Sequence, residues 1–305
     1  MRILVTGGTG LVGRALCQRL AAGGDSVVVL SRSPSSVAQR VPEAEAAFGW
    51  ATDGSLVPGE ALEGVDAVVH LAGETVSGRW TASKRAAIRD SRVDGTRALV
   101  RSLAGLPQSS RPSVLVSASA VGFYGDRGDE ELNEESESGT GFLAEICRAW
   151  EAEARAAEEL GIRVVRLRLS MVLAQGGGAL AEMLPAARMG LGGRLGTGRQ
   201  WWSWIHREDL VDLVGHVLRD NSISGVLNGS CPGAVRQVEF TRSLAAIFGR
   251  PAFIPAPAWA IKLALGGFSA EVLTSKLVRP VRTLETGFRF SFEELEPALR
   301  EILRP

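Results

Sequence analysis

The chain has one tyrosine, three histidines and three cysteines in 305 residues. Cys17, Cys147 and Cys231 lie far apart, form no Cys-x-x-Cys pair and have no neighbouring histidine. That spacing excludes a disulfide framework and a zinc site, and leaves buried free thiols in a reducing compartment as the expectation. Net charge is absent as well: 34 Lys+Arg balance 34 Asp+Glu. The overall field therefore offers nothing for nucleic acid or an anionic membrane, and neither is expected as a general partner. No apolar run reaches the roughly 18–20 residues of a membrane span. Residues 259–265 come nearest and carry Lys262. Met1 leads straight into a strand, so the reading is of a cytoplasmic protein with no leader and no membrane span.

What is present is a 45% hydrophobic chain, enough for an ordinary core. Its first two-thirds alternates short apolar runs with helical patterns. Residues 2–6, 26–30, 67–71, 114–117 and 162–169 read as strands. Residues 12–22 and 142–160 read as helices. Continuous β-branched runs separated by helices predict a parallel sheet covered on both faces, a doubly wound α/β fold. Residues 1–170 are assigned to this Rossmann-type domain, with later segments up to about 230 completing its sheet. Residues 171–250 form mixed substrate-side segments, opened by Gly176-Gly177-Gly178 and a glycine-rich stretch at 190–198. Residues 251–305, punctuated by Pro251, Pro255 and Pro257, form a small C-terminal domain. The acidic run 129–137 reads as a solvated loop.

The first strand ends at Thr6, and Gly7, Gly10 and Gly13 follow as a helix begins. Gly7 permits the tight turn, Gly10 lets backbone approach a pyrophosphate, and Gly13 lets helix and strand pack closely. The helix N-terminus offers free N–H groups to the phosphates. Where an NAD site usually places a carboxylate, the second strand ends in Ser31-Arg32. A guanidinium can pair with a 2′-phosphate, so NADP is expected in preference to NAD. Arg92 is a candidate second cation. Leu71-Ala72-Gly73 closes the next strand with small residues where a cofactor ribose would approach.

Together, Thr6-Gly7-Gly8-Thr9-Gly10-x-x-Gly13, Leu71-Ala72-Gly73 and Ser117-Ala118-Ser119 resemble the extended short-chain dehydrogenase/reductase superfamily. Leu71-Ala72-Gly73-Glu74, Ser91-Arg92, Phe142-Leu143-Ala144-Glu145, Trp204-Ile205-His206-x-x-Asp209-Leu210 and Leu227-Asn228-Gly229 are similar to its atypical epimerase-family branch, which includes family 39U. Residues 283–299 resemble that branch's small C-terminal domain. The resemblance implies an NADP-binding oxidoreductase or epimerase, with a nucleotide sugar as one candidate small polar substrate. It implies cofactor contacts at Gly7, Gly10, Leu11, Val12, Gly13, Ser31, Arg32, Leu71, Ala72, Arg92 and Val172; Gly73 and Ser117 join the candidate set. Some relatives are labelled division-associated, so a catalytically silent NADP-binding regulator is the alternative. Superfamily dimers use two helices per subunit, which leaves a homodimer open.

The superfamily's Tyr-x-x-x-Lys pair transfers a proton and binds the nicotinamide ribose. Here the corresponding helix places Leu143 and Cys147 at those positions, and neither can do that work. Ser119 stands at the superfamily's hydroxyl position or forms a turn. Tyr124 is either an acid from another direction or a packed aromatic. Glu145, on the helix facing the site, is a replacement acid/base if burial raises its pKa. Trp201-Trp202-Ser203-Trp204 either stacks a substrate or anchors the C-terminal part. His206 and Asp209 open a helix, His70 reads as a core histidine, and Arg166 or Arg168 can pair with a carboxylate under the site.

Overall fold

The computed structural model describes residues 1–303. Seven parallel strands form its centre: β1 (Arg2–Thr6), β2 (Ser26–Ser31), β3 (Ala46–Gly49), β4 (Ala67–His70), β5 (Val114–Ala120), β6 (Arg163–Leu169) and β7 (Gly225–Gly229). Their spatial order is β7-β6-β5-β4-β1-β2-β3. The chain builds outward from β1 to β3, then crosses to β4 and builds the other way. That reversal opens a crevice beyond the carboxyl ends of β1 and β4, where such sheets bind ligands.

The helices of eight or more residues are α1 (Leu11–Ala22), α2 (Ala82–Ala104), α3 (Phe142–Arg155), α4 (Gly178–Arg188), α5 (Arg207–Arg219), α6 (Gln237–Ile247), α7 (Ala258–Leu265) and α8 (Leu295–Ile302). Two apolar cores result from the alternation along each strand. Val5 and Val116 pack with Leu16 and Leu20 of α1 and Leu213 and Val214 of α5. Leu4 and Leu115 face the opposite way, onto Leu99 and Leu103 of α2 and Ala154 of α3. No helix among the described residues is long and apolar enough to cross a membrane.

Several boundaries differ from the sequence pattern for local reasons. β5 continues to Ala120, because β6 supplies partners for Ser119 and Ala120 at Arg168 and Leu169. α3 ends at Arg155, and Ala156–Leu160 tightens into a 3₁₀ turn that stops at left-handed Gly161 (φ 78°). The acidic run is a solvated loop only in part: Asp129, Glu130, Glu131, Glu135 and Glu137 are exposed, but the run is tied down at two points. Its Glu131–Leu132 pairs with Leu277–Val278, and Leu132 is fully buried. Glu134 Oε1 accepts from the Asn228 and Thr283 backbone N–H groups, and Oε2 from that of Arg282. The carboxylate thus serves donors in the first turn of the short helix Val281–Glu285, which have no partner within that helix.

The tryptophan run anchors the C-terminal part. Trp204 is fully buried and donates its Nε1–H to Gly233 O at 2.7 Å. Trp202 packs against Phe240, and Trp201 lies under Arg236. Asp209 accepts the Ser291 and Phe292 N–H groups at 2.8 and 3.0 Å, so it staples the C-terminal loop rather than its own helix entry. His206 caps α5 by accepting from Glu208 N–H, and stacks on Phe292.

Candidate dinucleotide site

The phosphate loop is shaped by what its glycines exclude. Gly7 has φ 71°, and a Cβ there would lie 2.9 Å from Ala72 N and Leu71 C. A Cβ on Gly13 would lie 2.2 Å from Gly7 O. Any side chain at Gly13 would therefore push the loop off the first turn of α1.

Beneath the loop, a buried relay fixes where β4 ends. Thr6 Oγ1 accepts the Leu71 and Ala72 N–H groups at 3.2 and 3.1 Å. Its own proton is then directed to His70 Nδ1, 2.7 Å away. His70 is thereby held as the Nε2–H tautomer and donates to Thr96 Oγ1 at 3.0 Å. Burial, helped by nearby Arg92, pushes the His70 pKa down to about 4, so the ring is neutral. The core histidine thus positions the Leu71-Ala72 backbone against Gly7.

A cleft of about 410 Å³ opens above this relay. Its walls include Gly7, Thr9, Gly10, Ser31, Arg32, Leu71, Ala72, Gly73 and Glu74. The structure also brings Ser33, Ser36, Arg40, Trp50 and Thr52 into the same wall. Sequence reasoning missed these five. Arg40 and Ser36 come from the short turns after β2, and Trp50 and Thr52 follow β3, so only the fold brings them together. Lys84 Nζ pairs with Glu74 Oε1 at 2.6 Å and holds that carboxyl below its usual range, with Arg32 and Arg92 adding to the effect. Arg92 donates to Glu74 O at 2.9 Å and lies against Gly73. Leu11 and Val12 open α1, and residues 177–178 pass over Leu11, placing the Val172 strand beside it. Ser117 is fully buried in the sheet and outside the cleft wall.

The donor set fits a phosphorylated dinucleotide. A glycine turn and a helix N-terminus suit the pyrophosphate. Arg32 and Arg40, neither in an ion pair among the described residues, flank the Ser31, Ser33 and Ser36 positions and suit a further phosphate monoester.

The three candidate catalytic groups are not brought together in this cleft. Ser119 is buried and donates to Glu151 Oε1 at 2.7 Å. The same carboxylate takes both Nε and Nη2 of Arg168, at 2.8 and 3.0 Å, with Arg166 Nη1 at 3.8 Å. Arg168 also donates to Tyr124 OH at 3.1 Å and covers the Phe123 ring. Tyr124, fully buried, gives its proton to Asn228 Oδ1 at 2.7 Å. Burial pushes its phenol pKa up, against the pull of Arg168. Glu145 is exposed, whereas Cys147, two residues on, is buried. Two positions turn a helix by about 200°, so the two cannot share a face, and the expectation that Glu145 faces the site is corrected. Leu143 and Cys147 pack on Gly122 just after β5. Burial, with Glu151 nearby, pushes the Cys147 thiol up to about 12, which keeps it protonated.

The crevice, the glycine turn and the two arginines of the cleft wall define a nucleotide-binding Rossmann-type protein. The chain belongs to the NAD dependent epimerase/dehydratase family, whose model matches residues 3–228. Residues 256–302 match a second model, a domain of unknown function (DUF1731). The chain is 40% identical to the chloroplastic epimerase family protein SDR39U1 homolog of Arabidopsis thaliana, covering 100% of this chain and 87% of the relative. It is 37% identical to human epimerase family protein SDR39U1 over 99% of this chain and 100% of the relative. A crystal structure of the human protein (isoform 2) with NADPH superposes with a TM-score of 0.87 at 36% identity, covering 99% of each chain. A nucleoside-diphosphate sugar epimerase from Corynebacterium glutamicum gives 0.78 at 35% identity, over 99% of this chain and 58% of that one.

Proposed function

We propose that this chain binds NADP(H) and acts as an oxidoreductase or epimerase on a small polar substrate, a nucleotide sugar being the leading class. The observation that carries the cofactor reading is the Arg32–Arg40 wall: two cations without ion-pair partners among the described residues, with Arg32 at the end of β2 where an NAD site would present a carboxylate. NADPH in the human relative's structure supports it. The sugar class rests on the activity named for the Corynebacterium protein. Bound NADP(H) would supply hydride chemistry. The chain's own part is to seat the pyrophosphate on Gly7–Gly13, hold the 2′-phosphate with Ser31, Arg32 and Arg40, and fix the Leu71-Ala72-Gly73 backbone beside the ribose.

A second reading is a cofactor-holding protein without turnover. One observation favours it: the Ser119 and Tyr124 hydroxyls are both committed to buried partners. Following nicotinamide absorbance with NADP(H)-loaded protein over a panel of nucleotide sugars separates the two. Substrate-dependent change supports the enzyme. Tight binding with no change across the panel supports the silent protein.

A further inference from the structure

Overall neutrality hides two stretches without a single acid. No Asp or Glu lies between Glu182 and Glu208, or between Glu239 and Glu271. The fold lays these stretches side by side. Ile254 N–H donates to Gly192 O, Ala256 N–H to Arg194 O, and Gly196 N–H to Ala256 O. Gly190 packs against Pro251, and Gly196 against Ala258 at the start of α7. Six of the nine large hydrophobic side chains exposed among the described residues fall here: Met189, Leu191, Phe253, Ile254, Trp259 and Leu263. Phe253, Trp259 and Leu263 are each 70–74% exposed. On α7, Ile261 points inward while Trp259 and Leu263, one turn apart, face out beside exposed Lys262. Arg188, Arg194 and Arg250 are exposed in the same two stretches.

An apolar face of this kind on a charged, neutral-overall protein marks an interaction surface. Its chemistry selects the partner. Exposed aromatic and aliphatic side chains in stretches that also expose Arg188, Arg194, Arg250 and Lys262 match the headgroup–acyl boundary of an anionic bilayer, where the rings insert and the cations meet lipid phosphates. A second copy meeting this face across a two-fold axis would set the cations of these acid-free stretches against one another. Nucleic acid would leave Leu263, Ile254 and Met189 without apolar contact. We propose that this face docks the protein peripherally on an anionic lipid surface, with α7 lying along it.

Sedimentation of the full chain with phosphatidylcholine vesicles, with and without phosphatidylglycerol, tests this. Pelleting with the anionic vesicles should be at least about tenfold stronger than with neutral ones, and should weaken as salt rises. The double variant Trp259→Ser/Leu263→Ser should lose it while keeping the wild-type melting temperature. Leu56→Ser, which removes an exposed leucine elsewhere, should keep it. The proposal is overturned by no pelleting with anionic vesicles at low salt, or by equal pelleting of the double variant. It is equally overturned if light scattering shows a wild-type dimer that this variant splits, which would assign the face to a second copy.

Discussion

The Ser119 hydroxyl donates to Glu151 Oε1 at 2.7 Å, beneath the sheet's carboxyl end rather than into the cleft. Glu151 is the hub of that layer, since Arg168 grips both its oxygens. The Ser119→Ala variant should cost about 1.5–3 kcal/mol in chemical denaturation, the range for a hydrogen bond to a charged group, and leave NADPH affinity unchanged. Glu151→Gln should cost about 3–5 kcal/mol, because it leaves a buried guanidinium uncompensated. A Ser119→Ala protein of normal stability with abolished turnover would return Ser119 to the chemistry.

Gly13→Ala should abolish dinucleotide binding. Its methyl would meet Gly7 O at 2.2 Å, so the loop must move. Isothermal titration of NADPH, alongside circular dichroism to show a retained fold, checks this. Unchanged affinity would mean that the loop does not carry the phosphate.

The buried His70 predicts a pH dependence. Its folded pKa, about 4, is depressed from an unfolded value near 6.5. The unfolded chain therefore takes up the proton first as pH falls. This contribution is intact above about pH 6.5 and is lost progressively down to about pH 4, by up to roughly 3 kcal/mol. Denaturation series on wild type and His70→Asn between those pH values should show the steeper fall in wild type. Parallel curves would remove His70 as the titrating group.

How legible the site was follows from how local its causes are. Gly7, Gly10 and Gly13 are steric necessities of one turn, and the pattern shows in seven residues. Ser31-Arg32 is legible because the end of β2 has a fixed place in this fold. Arg40, Trp50 and Thr52 carry no local signature; the packing of β3 and the turns after β2 brings them to the cleft. Two arginines on one strand asked for a carboxylate, yet naming Glu151 required knowing which face of α3 meets β6. Hydroxyl candidates were misleading for the same reason. Alternation on β5 and the turn after it aims Ser119 and Tyr124 at buried partners, which a residue type alone does not reveal.

The central claim is discrimination by the cations beside Ser31. Protein fluorescence or calorimetric titration with NADPH and NADH, on wild type, Arg32→Ala and Arg40→Ala, tests it most directly. The expected result is NADPH binding at least about tenfold tighter than NADH in wild type, with each variant losing most of that ratio and leaving NADH affinity little changed. Equal affinity for the two cofactors in wild type, or a ratio that survives both substitutions, would contradict the account.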